Sequence, residues 1–177
     1  MSSEKCKSTA LRYVAMQAKT EGQVAEYLKR KGFENHAIEE AIDFLREYNY
    51  VNDESFCQLY FREAALKGKG RRRIEQELIN KKINPGLVRR TLQDLLSEDN
   101  PEYDSLIEEI LPEKERALKL GRKMLRIHLE DGREPDKNFM AKVGRRLVSL
   151  GYGQDVLYSV IGTLMKESEN CRNDSDE

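Results

Sequence analysis

Apolar residues recur along most of this chain with the period of an α-helix. In one clear segment Ile38, Ala41, Ile42 and Leu45 fall at i, i+3, i+4 and i+7, the spacing that places them on one helical face. No stretch alternates apolar and polar residues with β-branched enrichment, the pattern typical of a half-buried strand. The pattern therefore predicts an all-α fold.

Local signals divide the first fifty residues into three helices. A first helix is predicted over residues 8–18, and Thr20 with Gln23 then has the spacing of a capping box. Gly32 is predicted to end the second helix because glycine readily takes the left-handed conformation just past a helix C-terminus. Asn35 is the predicted cap of the third helix. Together these signals indicate one three-helix unit.

The same unit recurs twice along the chain. Six apolar positions of the first copy land on apolar residues when shifted by 50 residues, and again when shifted by 119. Gly32 has a counterpart in the third copy, Gly151, but the second copy has Lys82 there. Amphipathic helices match by chance, yet recurring turn residues favour a true repeat. The six positions in the three copies are Val24, Leu28, Phe33, Ile38, Ile42 and Leu45; Ile74, Leu78, Ile83, Val88, Leu92 and Leu95; and Val143, Leu147, Tyr152, Leu157, Ile161 and Leu164.

We therefore predict an all-α protein of three tandem three-helix repeats that form an elongated, curved molecule. An acidic insert separates the second and third repeats and is predicted to extend a helix or to add one, which Asn100-Pro101 would cap. The predicted segments are repeat 1 at 8–50, repeat 2 at 51–97, the acidic insert at 98–112, repeat 3 at 113–167 and a disordered acidic tail at 168–177.

Charge is distributed in blocks, although the net charge is only −1. Residues 67–90 carry a net charge of +7, residues 98–115 carry −7, and residues 116–146 carry +6. Such blocks suit a protein that binds a polyanion or a charged protein groove, and the alternative is a set of solvated faces.

The stretch LKGKGRRRIEQEL, residues 66–78, concentrates this charge before a predicted helix. Its glycines are expected to interrupt the helix and let the backbone approach a partner. Arginines at 71–73 fall in the first helical turn, where each cation is unfavourable by roughly 0.3–1 kcal/mol. That cost favours a partner-binding function, with a tolerated solvated cluster as the alternative. Arginine binds phosphate and carboxylate alike, so the class of partner stays open.

Basic residues are accordingly the candidate binding site, in the central stretch, in its continuation and in the third repeat. The candidates are Lys67, Lys69, Arg71, Arg72, Arg73, Lys81, Lys82, Arg89, Arg90, Arg122, Lys123, Arg126, Arg145 and Arg146.

Catalytic and metal-binding patterns are weak. The two histidines, His36 and His128, lie in different repeats with no partner at ligand or triad spacing. The three cysteines, Cys6, Cys57 and Cys171, are far apart and are interpreted as reduced thiols. We predict no catalytic residue, metal or cofactor.

Membrane and export signals are also lacking. No apolar run reaches the roughly 18 residues of a membrane span, and the polar N-terminus lacks the apolar core of a signal peptide. We therefore expect a cytoplasmic protein.

Five motifs carry a resemblance to a known family: ALRYVA at 10–15, LKRKGF at 28–33, YVNDESF at 50–56, KGKGRRRIEQEL at 67–78 and RRLVSLGY at 145–152. Over residues 9–164 the chain resembles the RecX family of bacterial recombinase regulators. The resemblance implies tandem three-helix repeats that bind along the groove of the RecA filament on single-stranded DNA. It further implies inhibition of the ATPase, strand-exchange and co-protease activities of RecA by a non-enzymatic protein, which we expect to be a monomer.

Two features depart from the family pattern. Lys82 replaces the glycine expected at its turn, so that helix end is predicted to be capped differently or strained. The acidic insert is also long for the family. The alternative function is a helical protein that binds single- or double-stranded nucleic acid directly and acts without RecA, and an adaptor for other partners ranks third.

Overall fold

The computed structural model describes the backbone of residues 2–173 and the side chains of residues 2–169. The described residues contain ten α-helices and no β-strand. The helices are α1 (Ser3–Met16), α2 (Glu21–Arg30), α3 (Asn35–Glu47), α4 (Asp53–Leu66), α5 (Arg71–Asn80), α6 (Pro85–Leu95), α7 (Tyr103–Glu109), α8 (Glu113–Glu130), α9 (Lys137–Ser149) and α10 (Gln154–Asn173). The all-α fold of repeated three-helix domains is thus confirmed.

Helix ends form largely where local chemistry predicts them. Thr20 and Gln23 make the reciprocal capping box at the start of α2. Asn84 accepts hydrogen bonds from the first backbone N–H groups of α6, which has proline at its first position. The cap predicted at Asn35 is wrong, because Glu34 occupies the N-cap position of α3 without a side-chain hydrogen bond.

The chain divides into two compact units, Met1–Phe61 with Glu75–Asn100 and Arg62–Ile74 with Pro101–Glu177. In the first unit α1 packs on α2 and α3, and in the second unit α10 packs on α8 and α9. Of the eighteen aligned apolar positions, all are buried except Ile42, Leu157 and Ile161, which are half-buried. Burying one such leucine or isoleucine stabilises the fold by roughly 1.5–3 kcal/mol. The repeated apolar positions are therefore core positions.

Two segments differ from the sequence-based expectation, and the acidic insert agrees with it. Helix α10 continues to Asn173, so residues 168–173 are helical where a tail was expected, and residues 174–177 lie outside the described residues. The acidic insert does contain the expected additional helix, α7. Cys6 is fully buried, because α1 begins at Ser3, five residues before its predicted start, and places the thiol in the core of the first unit.

Candidate functional site

The central glycine-rich stretch lies against another part of its own chain. The backbone N–H of Gly70 donates to the carbonyl of Leu150 at 2.8 Å. A Cβ at Gly70 would lie 2.6 Å from the Gly151 carbonyl carbon and from the Tyr152 nitrogen, so only glycine fits. The backbone that approaches Gly70 is therefore the chain's own, which corrects for this glycine the expectation that it admits a partner.

The receiving turn, between α9 and α10, is equally constrained. Gly151 has φ +85°, and a Cβ there would lie 2.3 Å from the Arg73 Cβ. The Tyr152 hydroxyl donates to the Gly68 carbonyl at 3.0 Å, and burial raises the pKa of this phenol. Both sides of the contact are fixed by backbone shape as well as by hydrogen bonds.

Two arginines of the central stretch take part in the same contact. Arg73 donates from Nη1 to the Ser149 carbonyl at 2.9 Å. The backbone N–H of Arg71 donates to Glu113 Oε1 at 2.7 Å. Helix α5 has no acidic residue in its own first turn, so Glu113 supplies the negative charge that its N-terminus favours. The unfavourable arginine placement thus has an intramolecular compensation.

A matching contact occurs in the first unit, between the start of α2 and the turn after α5. The Thr20 hydroxyl donates to the Lys81 carbonyl, and the Glu21 N–H donates to Asp53 Oδ1 at 2.9 Å. A Cβ at Gly22 would lie 2.3 Å from the Lys82 carbonyl oxygen and 2.5 Å from the Lys82 Cβ. Close approach again depends on a glycine.

We name these contacts the first joint (residues 20–22, 53 and 81–82) and the second joint (residues 68–73, 113 and 149–152). The repeat alignment superimposes their hydrogen-bonding residues: Thr20 on Gly70, Glu21 on Arg71, and Lys81 on Leu150. The acids Asp53 and Glu113 are each the first residue of a helix, α4 and α8. The middle helix of one repeat therefore docks on the next repeat by a recurring device.

Other candidate basic residues are engaged in weak surface interactions. Lys67 pairs with Glu63, Lys82 with Glu26, and Arg126 with Glu130, at 3.7–3.9 Å and between exposed side chains. Such pairs contribute about 0–1 kcal/mol and leave the cations available to a partner. Arg122 forms a closer ion pair with Glu167. Lys81 lies over the rings of Phe56 and Tyr60. Lys69, Arg71 and Arg73 also have partners within the chain.

The structure brings some of the candidate residues together. Arg122, Lys123 and Arg126 line one groove of the second unit, and Arg145 and Arg146 line another. In the first unit, Arg89 and Arg90 of α6 are exposed. In the second unit, the exposed candidates include Arg72, Lys123, Arg145 and Arg146. The candidates therefore divide into a joint-forming group and an exposed group.

Comparison with known proteins matches the same repeats. Two family models fit the chain: RecX, first three-helix domain, over residues 6–45, and RecX, second three-helix domain, over residues 52–92. A protein named regulatory protein RecX from Clostridium perfringens (strain SM101) is 35% identical over 161 residues, which span 90% of this chain and 68% of that protein. The protein of the same name from Clostridium tetani is 33% identical over 161 residues, 91% of this chain and 68% of that protein.

The chain belongs to the RecX family. The crystal structure of RecX from Lactobacillus salivarius has the same fold, with a TM-score of 0.73 and 22% identity over 92% of this chain and 96% of that one. A second crystal structure of a regulatory protein RecX gives a TM-score of 0.65 with 23% identity, over 89% of this chain and 70% of that one.

Sequence reasoning missed several residues that this RecX-family chain uses. Asp53 accepts a hydrogen bond from the first N–H of α2, and Glu113 accepts one from the first N–H of α5. The only sequence signal for this role is that each acid is the first residue of its own helix, α4 or α8. Arg116 donates to the Leu111 carbonyl at 2.6 Å and reaches the Lys69 carbonyl at 3.5 Å. Except for the Arg116–Leu111 hydrogen bond, these contacts join residues at least 32 positions apart, so periodicity does not predict them.

The described residues show neither a metal-binding cluster nor a membrane-spanning helix. Among the described residues, no three His, Cys, Asp or Glu side chains are grouped closely enough to hold a metal ion. Burial raises the pKa of Cys57 to about 11, so this thiol is a poor nucleophile. In the described part of the chain, no helix has the length and apolar character needed to cross a bilayer.

Proposed function

We propose that this protein regulates the RecA recombinase by binding the RecA nucleoprotein filament. The carrying observation is membership of the RecX family, whose relatives named regulatory protein RecX align with 90% of the chain. Under this proposal, binding along the filament groove inhibits RecA-catalysed ATP hydrolysis, strand exchange and co-protease activity. The protein acts as a monomer without a cofactor or catalytic step, in the cytoplasm where RecA acts.

Exposed cations are the proposed contact residues. Arg89 and Arg90 lie side by side on α6, and Arg145 and Arg146 do so on α9. Guanidinium groups bind phosphates or carboxylates in a two-pronged geometry, and a nucleoprotein filament presents both. Arg73 contributes less in this proposal because the second joint engages its guanidinium, and Arg71 also has a further interaction within the chain.

The direct test measures RecA-catalysed ATP hydrolysis on single-stranded DNA while this protein is added at sub-stoichiometric amounts. We expect hydrolysis to fall. The variant Arg89→Glu/Arg90→Glu should inhibit less, whereas the matched control Lys29→Glu/Arg30→Glu, an exposed basic pair on α2, should inhibit like the parent protein. Unchanged hydrolysis at an equimolar amount of the parent protein would contradict the proposal.

The exposed arginine pairs also motivate a second candidate, direct nucleic-acid binding without RecA. That function requires affinity for DNA alone, falling steeply with salt as counterions are released. Co-sedimentation with RecA filaments and with free DNA separates the two candidates. The RecA proposal expects a higher affinity for the filament than for DNA alone.

A further inference from the structure

The third repeat has an apolar groove between α8 and α9 that no joint uses. Its floor includes Leu120, Met124 and Ile127, which follow each other along α8 at i, i+4 and i+7. Ile127 is 47% exposed, so it presents apolar surface to solvent in this groove. The groove encloses about 560 Å³. We call it the α8–α9 groove.

Cations alone form the charged rim of this groove. Arg133, Lys142, Arg145 and Arg146 line it, and its lining in the described part of the chain includes no aspartate or glutamate. The neighbouring groove along α8 differs, because Glu109 and Glu115 lie among its arginines and lysines. Arg133 is paired with Asp131, which does not line the groove, but Lys142, Arg145 and Arg146 leave a net positive charge beside the apolar surface. That charge complements an acidic ligand with an apolar face.

The aromatic residues of the groove do not offer a free face. Phe139 is only 4% exposed, and His128 stacks on it with ring centroids 4.3 Å apart. Proteins that bind single-stranded nucleic acid stack bases on open aromatic rings, which this groove lacks. Aliphatic side chains and an adaptable methionine instead suit the apolar stripe of a helix. The chemistry thus favours protein over nucleic acid.

The dimensions agree with a short helical ligand. Leu120 and Ile127 are seven residues apart on α8, which corresponds to about 10 Å along the axis, or two helical turns. A ligand helix with apolar residues at i, i+3 or i+4, and i+7 presents a stripe of the same length. Flanking glutamates or aspartates would then lie near the four cations.

We propose that the α8–α9 groove binds an acidic amphipathic α-helix of a partner protein. The apolar stripe of that helix packs on Leu120, Met124 and Ile127, and its carboxylates pair with the basic rim. The proposal names a surface and a ligand chemistry that do not depend on RecA. It therefore stands or fails separately from the proposed function.

A labelled synthetic peptide tests this docking by fluorescence anisotropy. The probe has about 18 residues, long enough to form a helix in isolation, with leucine along one face and glutamate elsewhere. We expect the full-length protein to bind it. Arg145→Glu/Arg146→Glu should weaken binding at least about tenfold, and Ile127→Ser at least about threefold. Both changes are at exposed positions, and circular dichroism checks that folding is retained.

Three controls make the result decisive. Lys29→Glu/Arg30→Glu reverses an equal number of exposed charges on α2 and should change peptide affinity by less than about twofold. A peptide with lysine in place of glutamate should not bind. If either Arg145→Glu/Arg146→Glu or Ile127→Ser leaves the affinity for the peptide unchanged, the proposal is overturned. If single-stranded DNA displaces the peptide, and if its affinity falls with Arg145→Glu/Arg146→Glu but not with Ile127→Ser, the groove binds nucleic acid instead.

Discussion

At the first joint one glycine, Gly22 on the docking helix, permits close approach, whereas at the second joint Gly70 before the docking helix and Gly151 in the receiving turn both do. Gly22 leaves room for the carbonyl oxygen and Cβ of Lys82, and Gly151 leaves room for the Cβ and backbone nitrogen of Arg73. Lys82 has φ 69°, close to the φ 85° of Gly151, so the two turns share one backbone shape. Residue size at these joints is therefore set in pairs across the contact.

This comparison explains why one turn tolerates lysine. A non-glycine residue in the left-handed region is unfavourable by roughly 1–2 kcal/mol. The turn shape is nevertheless retained, because the Lys81 carbonyl must face Thr20 as the Leu150 carbonyl faces Gly70. Strain was one of the two outcomes predicted for Lys82, and its left-handed backbone agrees with that outcome.

The largest effect is expected from Gly151→Ala. The new Cβ costs about 1–2 kcal/mol in the left-handed conformation, and its clash with Arg73 adds roughly 1–3 kcal/mol of overpacking. Urea unfolding measures the sum. Gly162→Ala is the control, because nothing lies within 4 Å of its Cβ in α10 and alanine should raise stability by about 0.5–1 kcal/mol. Equal stability of the two variants would break the comparison.

A double-mutant cycle tests the pairwise rule at the first joint. Gly22→Ala should cost roughly 1–3 kcal/mol through its clash with Lys82. Lys82→Gly removes the Lys82 Cβ and the left-handed strain but leaves the Lys82 carbonyl oxygen, so it relieves only part of that clash. Alone it should be neutral or stabilise by up to about 1 kcal/mol.

The two changes should couple favourably by at least about 0.5 kcal/mol in the free energy of unfolding, since Lys82→Gly removes one of the two shortest contacts that an alanine at position 22 would make. Strict additivity would show that the two positions are independent and would contradict the pairwise rule. The same cycle with Gly68→Ala in place of Gly22→Ala is a control, because nothing lies within 4 Å of a Cβ at Gly68.

The smallest effect concerns the acid that caps α2. Burial raises the pKa of Asp53 above its ordinary value of 3.8, although the hydrogen bond from the Glu21 N–H lowers it and the Glu21 charge raises it. A raised carboxyl pKa means that the folded state binds the proton more tightly than the unfolded state, so its contribution to stability decreases as pH rises from 3.8 through the folded pKa.

Asp53→Asn removes this titration and keeps an oxygen that accepts from Glu21. We therefore expect the stability of the parent protein relative to Asp53→Asn to be greater near about pH 3 than near about pH 7. Chemical denaturation across that range measures the difference. A difference that is constant, or that grows with pH, would contradict the assignment.

The sequence predicted those parts of the fold that depend on near neighbours. The capping box at Thr20, the proline-started α6 and the buried positions of the three repeats follow from spacing of three to seven residues. The joints were not predicted, because Gly70 meets Leu150 and Thr20 meets Lys81 across long stretches of chain. Lys82 was recognised as an exception to the turn pattern, but no local sequence feature indicated that Gly22 makes space for Lys82.

The candidate site was predicted less completely than the fold. Charge counting identified cations but not which of them the chain itself engages, as Arg73 is by the Ser149 carbonyl. It also passed over Arg133 and Lys142, which gain significance only beside the apolar floor of the α8–α9 groove. Exposure and neighbours, which decide availability, are properties of the folded chain.

The central claim is that the glycine-rich stretch is shaped by contact with its own chain, and Gly70→Ala tests it most directly. Gly70 has no positive φ, yet its Cβ would meet backbone atoms at 2.6 Å, so we expect a loss of roughly 1–3 kcal/mol in urea unfolding. Gly68→Ala, with φ +78° and open space, should lose only about 1–2 kcal/mol of conformational strain. A Gly70→Ala protein of unchanged stability that no longer binds the RecA filament would contradict the claim and assign the stretch to the partner.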